Sequence, residues 1–329
     1  MDLTVVVPTL NGRDRLGACL DALSAHAPDA EVVVVNGPSA DGTTGMVRDR
    51  DDVDVLVEIS DRTVNVARNA GIEVATADAI ALVDYDNRIH ESWRDAVRDG
   101  LDAADVVTGP VTPIDPHADD ETDAGDETDG SDLTDAGDET GSEAEDGPER
   151  RTIAGRDVTY FQGGNVVFRR DTLRDLDGFD EYLHTGGARD TAHRLARMDH
   201  DVEWRGGLAV SKELPAPKAA DGGRTAKEWG WKYRALAYRL LKNYGARPTV
   251  IARACSHALK DAAGAAKDVV RGESTPSRWF ATGRDVIVGG VGGSSDGLVA
   301  RSRDRSPARN PNGISKRADR AVAKYDNRK

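Results

Sequence analysis

Residues 79–86 read Ala79-Ile80-Ala81-Leu82-Val83-Asp84-Tyr85-Asp86, five apolar residues closed by two carboxylates one residue apart. An uninterrupted apolar run this short fits a strand buried on both faces, the habit of parallel sheets. In open α/β sheets ligands collect outside the carboxyl ends of the strands, so these acids stand where acids can do chemistry. If the chain stays extended through them, Asp84 and Asp86 point to the same side, about 7 Å apart by strand rise. One carboxylate would then suit a divalent ion, and the other a ribose or an ion-bound water. A strand-ending turn that is merely rich in Asp would look the same.

Short apolar runs and helical patterns alternate around this segment. Residues 3–7, 31–35, 55–59 and 105–108 read as further strands. Asn11 is placed to cap a helix bearing Leu16, Cys19, Leu20 and Leu23, and helices are expected over 63–76 and around Trp93 and Val97. Strands alternating with helices predict βαβ units and a mostly parallel α/β sheet flanked by helices. Residues 1–114 form one half of this domain and 151–217 the other, with strands at 158–161, 165–168 and 202–204 and a helix from about Asp190.

Residues 115–149 hold 16 Asp/Glu and no Lys/Arg, and repeat Thr-Asp-Ala-Gly-Asp-Glu-Thr at 122–128 and 134–140. Nothing there can be buried, so a disordered acidic insert over 115–150 is expected. The spacing of its acids fails the EF-hand ligand pattern. After Pro217 the chain turns helical over 218–300. The aromatic stripe Trp229, Tyr233 and Tyr244, with Trp231 and Tyr238 nearby, is interleaved with Lys and Arg. Such a helix suits a membrane interface or the flank of a domain. Residues 301–329 read as a basic, flexible tail.

The net charge of −14 is unevenly placed: 1–114 carries −12 and 224–329 carries +14. The basic end would favour an anionic lipid surface. No nucleic-acid-binding motif accompanies it, so nucleic acid is not expected as a partner. No Lys precedes Lys212 and the surface favours Asp and Arg, a composition that suits a salt-adapted cytoplasm. No segment resembles a secretory signal or reaches the ~18 apolar residues of a membrane span. A cytosolic or peripheral membrane location is therefore expected, with Cys19 and Cys255 reduced.

Several short motifs occur in one order: Val5-Val6-Val7-Pro8-Thr9-Leu10-Asn11; Val35-Asn36-Gly37-Pro38-Ser39-Ala40-Asp41-Gly42-Thr43; Ala67-Arg68-Asn69-Ala70-Gly71; Asp84-Tyr85-Asp86; Gly163-Gly164-Asn165-Val166-Val167-Phe168; Gly178-Phe179-Asp180-Glu181; and Gly187-Ala188-Arg189-Asp190. This order resembles the family 2 glycosyltransferases of the GT-A fold across roughly residues 3–215. The resemblance implies an inverting, metal-dependent transfer from a nucleotide sugar, with a UDP-sugar favoured and Mg²⁺ or Mn²⁺ as cofactor. Salt-adapted archaeal members of the family commonly build polyprenyl- or dolichyl-phosphate-linked glycans for N-glycosylation or surface polymers, which makes a lipid-linked glycan the expected acceptor.

By that resemblance Pro8, Thr9 and Asn11 border the nucleotide, and Asn36 stands where an Asp usually reads the base. Arg68 lies against the nucleotide and its phosphates, Asp84 and Asp86 hold donor and metal, and Asp190 is the general base. Gly163, Gly164 and Asn165 let the backbone approach donor sugar or acceptor. Each has a plainer reading: a Gly/Pro turn around Asn36, an exposed helix arginine at Arg68, a strand-entry turn at Gly163 and Gly164, a helix N-cap at Asp190. Two departures stand out. Arg189 replaces the usual Glu before the base, and residues 208–212 lack the histidine that many relatives offer the metal, so Lys212 could substitute for part of its charge. A nucleotidyltransferase would share the sheet and the acidic site, but Thr9-Leu10-Asn11-Gly12-Arg13 is a poor version of its phosphate loop. A degenerate nucleotide-sugar-binding scaffold is the other alternative.

Overall fold

The structure, a computed structural model, describes residues 1–114, 147–214, 226–271 and 276–328. Residues 115–146, and with them most of the expected acidic insert, lie outside the described residues.

The first half alternates as its apolar pattern requires: β1 (Leu3–Thr9), α1 (Arg13–His26), β2 (Glu31–Asn36), α2 (Thr43–Arg48), β3 (Val55–Ile59), α3 (Val64–Val74) and β4 (Ala79–Val83). There follow β5 (Asn87–Ile89), α4 (Trp93–Leu101), β6 (Val106–Thr108) and β7 (Val111–Ile114). The second half contains β8 (Arg150–Ile153), β9 (Arg156–Thr159), β10 (Asn165–Arg169), α5 (Arg170–Asp175), α6 (Gly187–Arg197), β11 (Val202–Trp204) and β12 (Val210–Glu213). Three long helices, α7 (Ala226–Tyr244), α8 (Pro248–Arg271) and α9 (Pro276–Arg303), precede a last strand, β13 (Ala321–Asp326).

Among the described residues the central sheet has eight strands in the order β11-β6-β10-β4-β1-β2-β3-β13. The pairs β4–β1, β1–β2, β2–β3 and β6–β11 are parallel, and β10 and β13 run antiparallel to their neighbours. Both faces are covered, which is why the strands are valine-rich without alternation. Val6, Val33 and Val35 face α3, α6 and α7, while Val5, Val7, Val32 and Val34 face α1 and α4. A smaller sheet, β5-β12-β7, stands beside the carboxyl end of β4 and carries Lys212 opposite Asn87.

Of the two readings of the α7 stripe, the flank of the domain is the one seen: Tyr233, Leu236, Leu240 and Tyr244 are buried in the core that also holds Leu195 of α6. Two expectations are corrected. Residues 301–328 are not loose. β13 pairs with β3, Arg320 is buried against Glu73 and Glu181, Arg317 meets Asp61 at 2.7 Å, and Arg328 meets Glu31 at 2.9 Å. Part of the basic excess at one end thus neutralises the acidic excess at the other. Finally, Asn11 is not a helix cap. It sits at φ 52°, Gly12 takes the N-cap position, and the Asn11 side chain accepts from the amide of Ala40.

The glycine-rich stretch around 286–297 is helical because α9 packs backbone to backbone on α7. A Cβ on Gly289 or Gly293 would come within 2.1 Å of the carbonyls of Gly230 and Arg234. Small residues at that spacing permit the approach, and they gave no apolar stripe by which to recognise it. Among the described residues no helix is long and apolar enough to cross a membrane.

Candidate functional site

Asp84-Tyr85-Asp86 lies at the carboxyl end of β4, but as a tight turn rather than an extension of the strand. The amide of Asn87 bonds the carbonyl of Asp84 at 2.9 Å. The same-side, extended arrangement expected for the two carboxylates is therefore replaced by a turn that sends them into different surroundings. Asp84 is partly exposed and accepts from Arg68 Nη2 at 3.3 Å. Asp86 is buried, with only 2% of its surface exposed.

Neither carboxylate oxygen of Asp86 has a hydrogen-bond donor. Its nearest charges are Lys212 Nζ at 3.7 Å and Arg15 Nη1 at 3.9 Å, ion-pair distances without hydrogen bonds. Burial, opposed chiefly by Lys212 and reinforced by Asp84, pushes its carboxyl up to about 6. A buried carboxylate with no donor is costly unless something else satisfies it. Oxygen ligands of this kind fit a hard divalent cation that keeps waters and takes its remaining ligands from substrate phosphates. Among the described residues no group of three or more His, Cys, Asp or Glu could hold a metal, so these residues would supply two carboxylates at most.

Loops from β1 and β2 frame the turn. Gly12 lies beneath the Tyr85 ring, where a Cβ would come within 2.4 Å, and Arg15 lies 5.3 Å from that ring's centre. The Thr9 hydroxyl at the end of β1 is buried without a hydrogen-bond partner, and Pro8 is buried in the strand. Asn11, Ser39 and Asn36 join the two loops: Ser39 Oγ accepts from the Asn11 amide at 2.9 Å and donates to Asn36 Oδ1 at 2.7 Å. Asn36 Nδ2 donates to Thr44 Oγ1 at 2.9 Å, and Thr44 in turn donates to Glu58. The side-chain amide of Asn36 is therefore engaged with Ser39 and Thr44 and shapes the loop. Arg68, expected against the nucleotide, is almost fully buried under Asp84, 5.4 Å from the Phe179 ring centre.

Gly164 is required here for a different reason from the one expected. A Cβ on it would come within 2.1 Å of Asp84 Oδ2, and its carbonyl accepts from the amide of Asp84 and from Asn87 Nδ2. It locks the turn in place. Asn165 is fully buried, accepting from Trp93 Nε1 and donating to the carbonyls of Leu208 and Pro110, so it ties β10 to α4 and to the loops after β6 and β11.

Asp190 departs furthest from expectation. It is 0% exposed in the first turn of α6. Its Oδ2 accepts from Arg194 at 2.9 Å and Lys242 at 2.7 Å, and its Oδ1 from Asn243 at 2.9 Å. Lys242 also donates to Asp180 at 2.6 Å, and Tyr238 and Asn312 complete that carboxylate. Burial alone would raise Asp190, but Lys242, Arg194 and the amide of Asn243 hold it below the usual carboxylate range. A base must reach the proton that it removes. This one is enclosed between α6 and α7, and its bonds to Arg194, Lys242 and Asn243 join the two helices. Only the fold brings Lys242 to Asp190 across 52 residues, so nothing local in the sequence signalled it. His193 is likewise packed, bonded to Tyr244 Oη at 2.8 Å.

Comparison with known proteins bears on this geometry. The family described as Glycosyl transferase family 2 matches residues 4–177. The chain is 31% identical over 98 residues to glycosyltransferase AglE of Haloferax volcanii, covering 28% of this chain and 32% of that protein. It is 29% identical over 111 residues to the uncharacterized glycosyltransferase YibD of Escherichia coli, covering 31% and 32%. These matches thus span about a third of the curated relatives' own length. Among solved structures, residues 1–349 of S. aureus TarS in complex with UDP-GlcNAc superpose with a TM-score of 0.51 at 16% identity, covering 74% of this chain and 68% of that one. The mannosyltransferase PcManGT from Pyrobaculum calidifontis, in complex with GDP-Man and Mn²⁺, gives a TM-score of 0.51 at 18% identity, covering 88% and 86%. At such identities the likeness is one of fold.

Proposed function

This chain belongs to glycosyl transferase family 2, and on that premise we propose that it moves a sugar from a nucleoside-diphosphate donor, a UDP-sugar by preference, to an acceptor hydroxyl with inversion. The observation that carries the reading is Asp86, a buried carboxylate with both oxygens undonated, in a turn at the carboxyl end of β4. Mg²⁺ or Mn²⁺ held through Asp86, with Asp84 beside it, would supply positive charge against a departing diphosphate.

The chain's own residues do the rest. Arg68 fixes the Asp84 carboxylate from below, and Gly164 leaves room for it. Arg15 and Lys212 bring their own positive charges within 4 Å of Asp86, where they would add to the stabilisation of developing negative charge. The Thr9 hydroxyl and the Asn11–Ser39–Asn36 bridge border the space for the nucleoside. The proteins of similar fold captured with UDP-GlcNAc and with GDP-Man and Mn²⁺ support a nucleotide-sugar donor and a divalent ion. For the acceptor we propose a polyprenyl- or dolichyl-phosphate-linked glycan of N-glycosylation or surface-glycan assembly. The exposed Ile287, Val288 and Val291 of α9, by which the protein would sit on the cytosolic face of a membrane, support this.

The test is release of UDP from UDP-sugars with Mn²⁺ or Mg²⁺. Slow, metal-dependent release that vanishes in Asp86→Ala supports the enzyme. A second reading, a nucleotide-sugar-binding scaffold without turnover, draws on the enclosure of Asp190 and the internal engagement of Asn36. Thermal stabilisation by a UDP-sugar without any release of UDP would favour it.

A further inference from the structure

Away from the Asp84–Asp86 turn, the carboxyl ends of α6 and α7 meet the β8–β9 hairpin and the last turn of α9 around an open cavity of about 440 Å³. Arg156 of β9, Arg197 at the end of α6, Arg247 in the α7–α8 connection and Arg301 of α9 line it, with Asn243 and Tyr244 between them. Arg309 lies directly behind and bonds the carbonyl of Arg301 at 2.7 Å. None of these residues belongs to the turn or loops of the donor site.

The charges in this cavity do not balance. Among the described residues, none of the five arginines forms an ion pair with a carboxylate. Two acids reach the cavity. Asp157 takes its bond from the Thr152 hydroxyl at 2.6 Å, and Asp199 stands exposed on a left-handed turn. Arg197 and Arg301 bond the final carbonyls of α7, at Asn243 and Lys242, a role that accounts for two cations at a helix end. It does not account for Arg156 or for Arg247, whose guanidinium has one long contact, 3.5 Å to the carbonyl of Ala154. The Nε atoms of Arg197 and Arg309 are buried with no hydrogen-bond partner. Burial and the neighbouring charges of Arg156, Arg309 and Arg301 lower Arg197 to about 10, the sign of cations that repel one another.

We propose that this cavity is a second, anion-binding site that takes a phosphate monoester or diphosphate, either free or at the head of a lipid. Planar guanidinium forks match phosphate oxygens in pairs, and a dianion placed among them would give Nε donors a partner while offsetting the mutual repulsion. The volume exceeds that of a lone phosphate and leaves room for what the phosphate is attached to. The proposal is independent of donor chemistry.

The test is titration with inorganic pyrophosphate by calorimetry at fixed ionic strength. Asp86→Asn protein with EDTA is used, so that the donor site and its metal contribute nothing. Binding is expected to persist there. It should weaken at least tenfold in Arg156→Gln/Arg247→Gln, where Arg156 lies 5.9 Å from the Tyr244 ring centre and Arg247 has its one long contact, with an unchanged circular dichroism spectrum as the check on folding. Arg98→Gln, on the exposed face of α4, should not change it. Arg197→Gln, checked for an unchanged circular dichroism spectrum, gives a second reading of the same effect. Absence of pyrophosphate binding in the Asp86→Asn protein, or binding indifferent to all three cavity arginines, overturns the proposal. Flotation with phosphatidylcholine vesicles, with and without polyprenyl phosphate, separates the sources. Retention lost in Arg156→Gln/Arg247→Gln assigns a lipid headgroup, and pyrophosphate binding without retention assigns a soluble phosphate.

Discussion

Asp190→Asn tests whether this carboxylate is catalytic or structural, because the two roles move different observables. The side chain keeps its shape and loses its charge. Arg194 retains the carbonyls of Leu176 and Gly178 at 2.7 and 2.9 Å, and Lys242 retains Asp180 at 2.6 Å. Both cations are nonetheless left with less compensation in a site of 0% exposure. Breaking a buried ion pair costs about 3–5 kcal/mol, and the surviving partners put Asp190→Asn near 3. Lys242→Met removes the ammonium shared by two buried carboxylates and should approach 5 on the same scale. Urea unfolding at pH 7 reads both. The sign with pH follows from the lowered carboxyl of Asp190. A depressed carboxylate contributes stability that is fully present above its unfolded value of about 3.9 and is lost as pH falls through the folded value. The gap between parent and variant should therefore stay constant from pH 7 to about 5 and close at lower pH. If Asp190→Asn unfolds at the parent urea concentration while sugar transfer disappears, the anchor reasoning fails and Asp190 is the base after all.

Four further outcomes are expected. The carboxyl of Asp86, raised to about 6 mainly by burial, opposes folding when ionised, so its cost is felt above pH 6 and relieved as pH falls toward 4. Since a cation needs the ionised form, Mn²⁺ affinity should fall about tenfold per pH unit below about 6, and the break should move higher in Lys212→Met, where a lowering charge is lost; affinity flat from pH 5 to 8 would contradict this. Gly164→Ala forces a methyl to within 2.1 Å of Asp84 Oδ2, so it should cost about 1–3 kcal/mol and weaken Mn²⁺ binding together, both readable by thermal melts with and without the ion. Truncation after Lys316 removes β13 and the buried Arg320 pairs, and should expose the β3 edge and lower the melting temperature markedly; an unchanged melt would mean that the tail is not part of the fold. Deletion of 115–146 with Glu149 kept, because it pairs with Arg189 at 3.0 Å and with Arg151, should leave donor turnover near that of the full chain; insoluble protein would show that the acidic segment is needed.

The sequence alone determined the α/β sheet, the family and the place of the Asp84–Asp86 turn at the carboxyl end of β4. Each rests on local information: apolar runs set by burial on two faces, and short motifs whose order along the chain survives without coordinates. Tertiary structure decided what the named residues can touch. Asp86 is a buried carboxylate whose nearest charge, Lys212, is brought beside it by β12 from far along the chain, too distant to donate. Asp190 became an anchor because α7 lays Lys242 across it. The α7 tyrosines Tyr233, Tyr238 and Tyr244 turned inward, and the basic tail found Asp61, Glu73 and Glu31 on the acidic half. Charge and burial are properties of neighbours in space, and a linear pattern records a residue's own chemistry without recording the neighbour that satisfies or frustrates it.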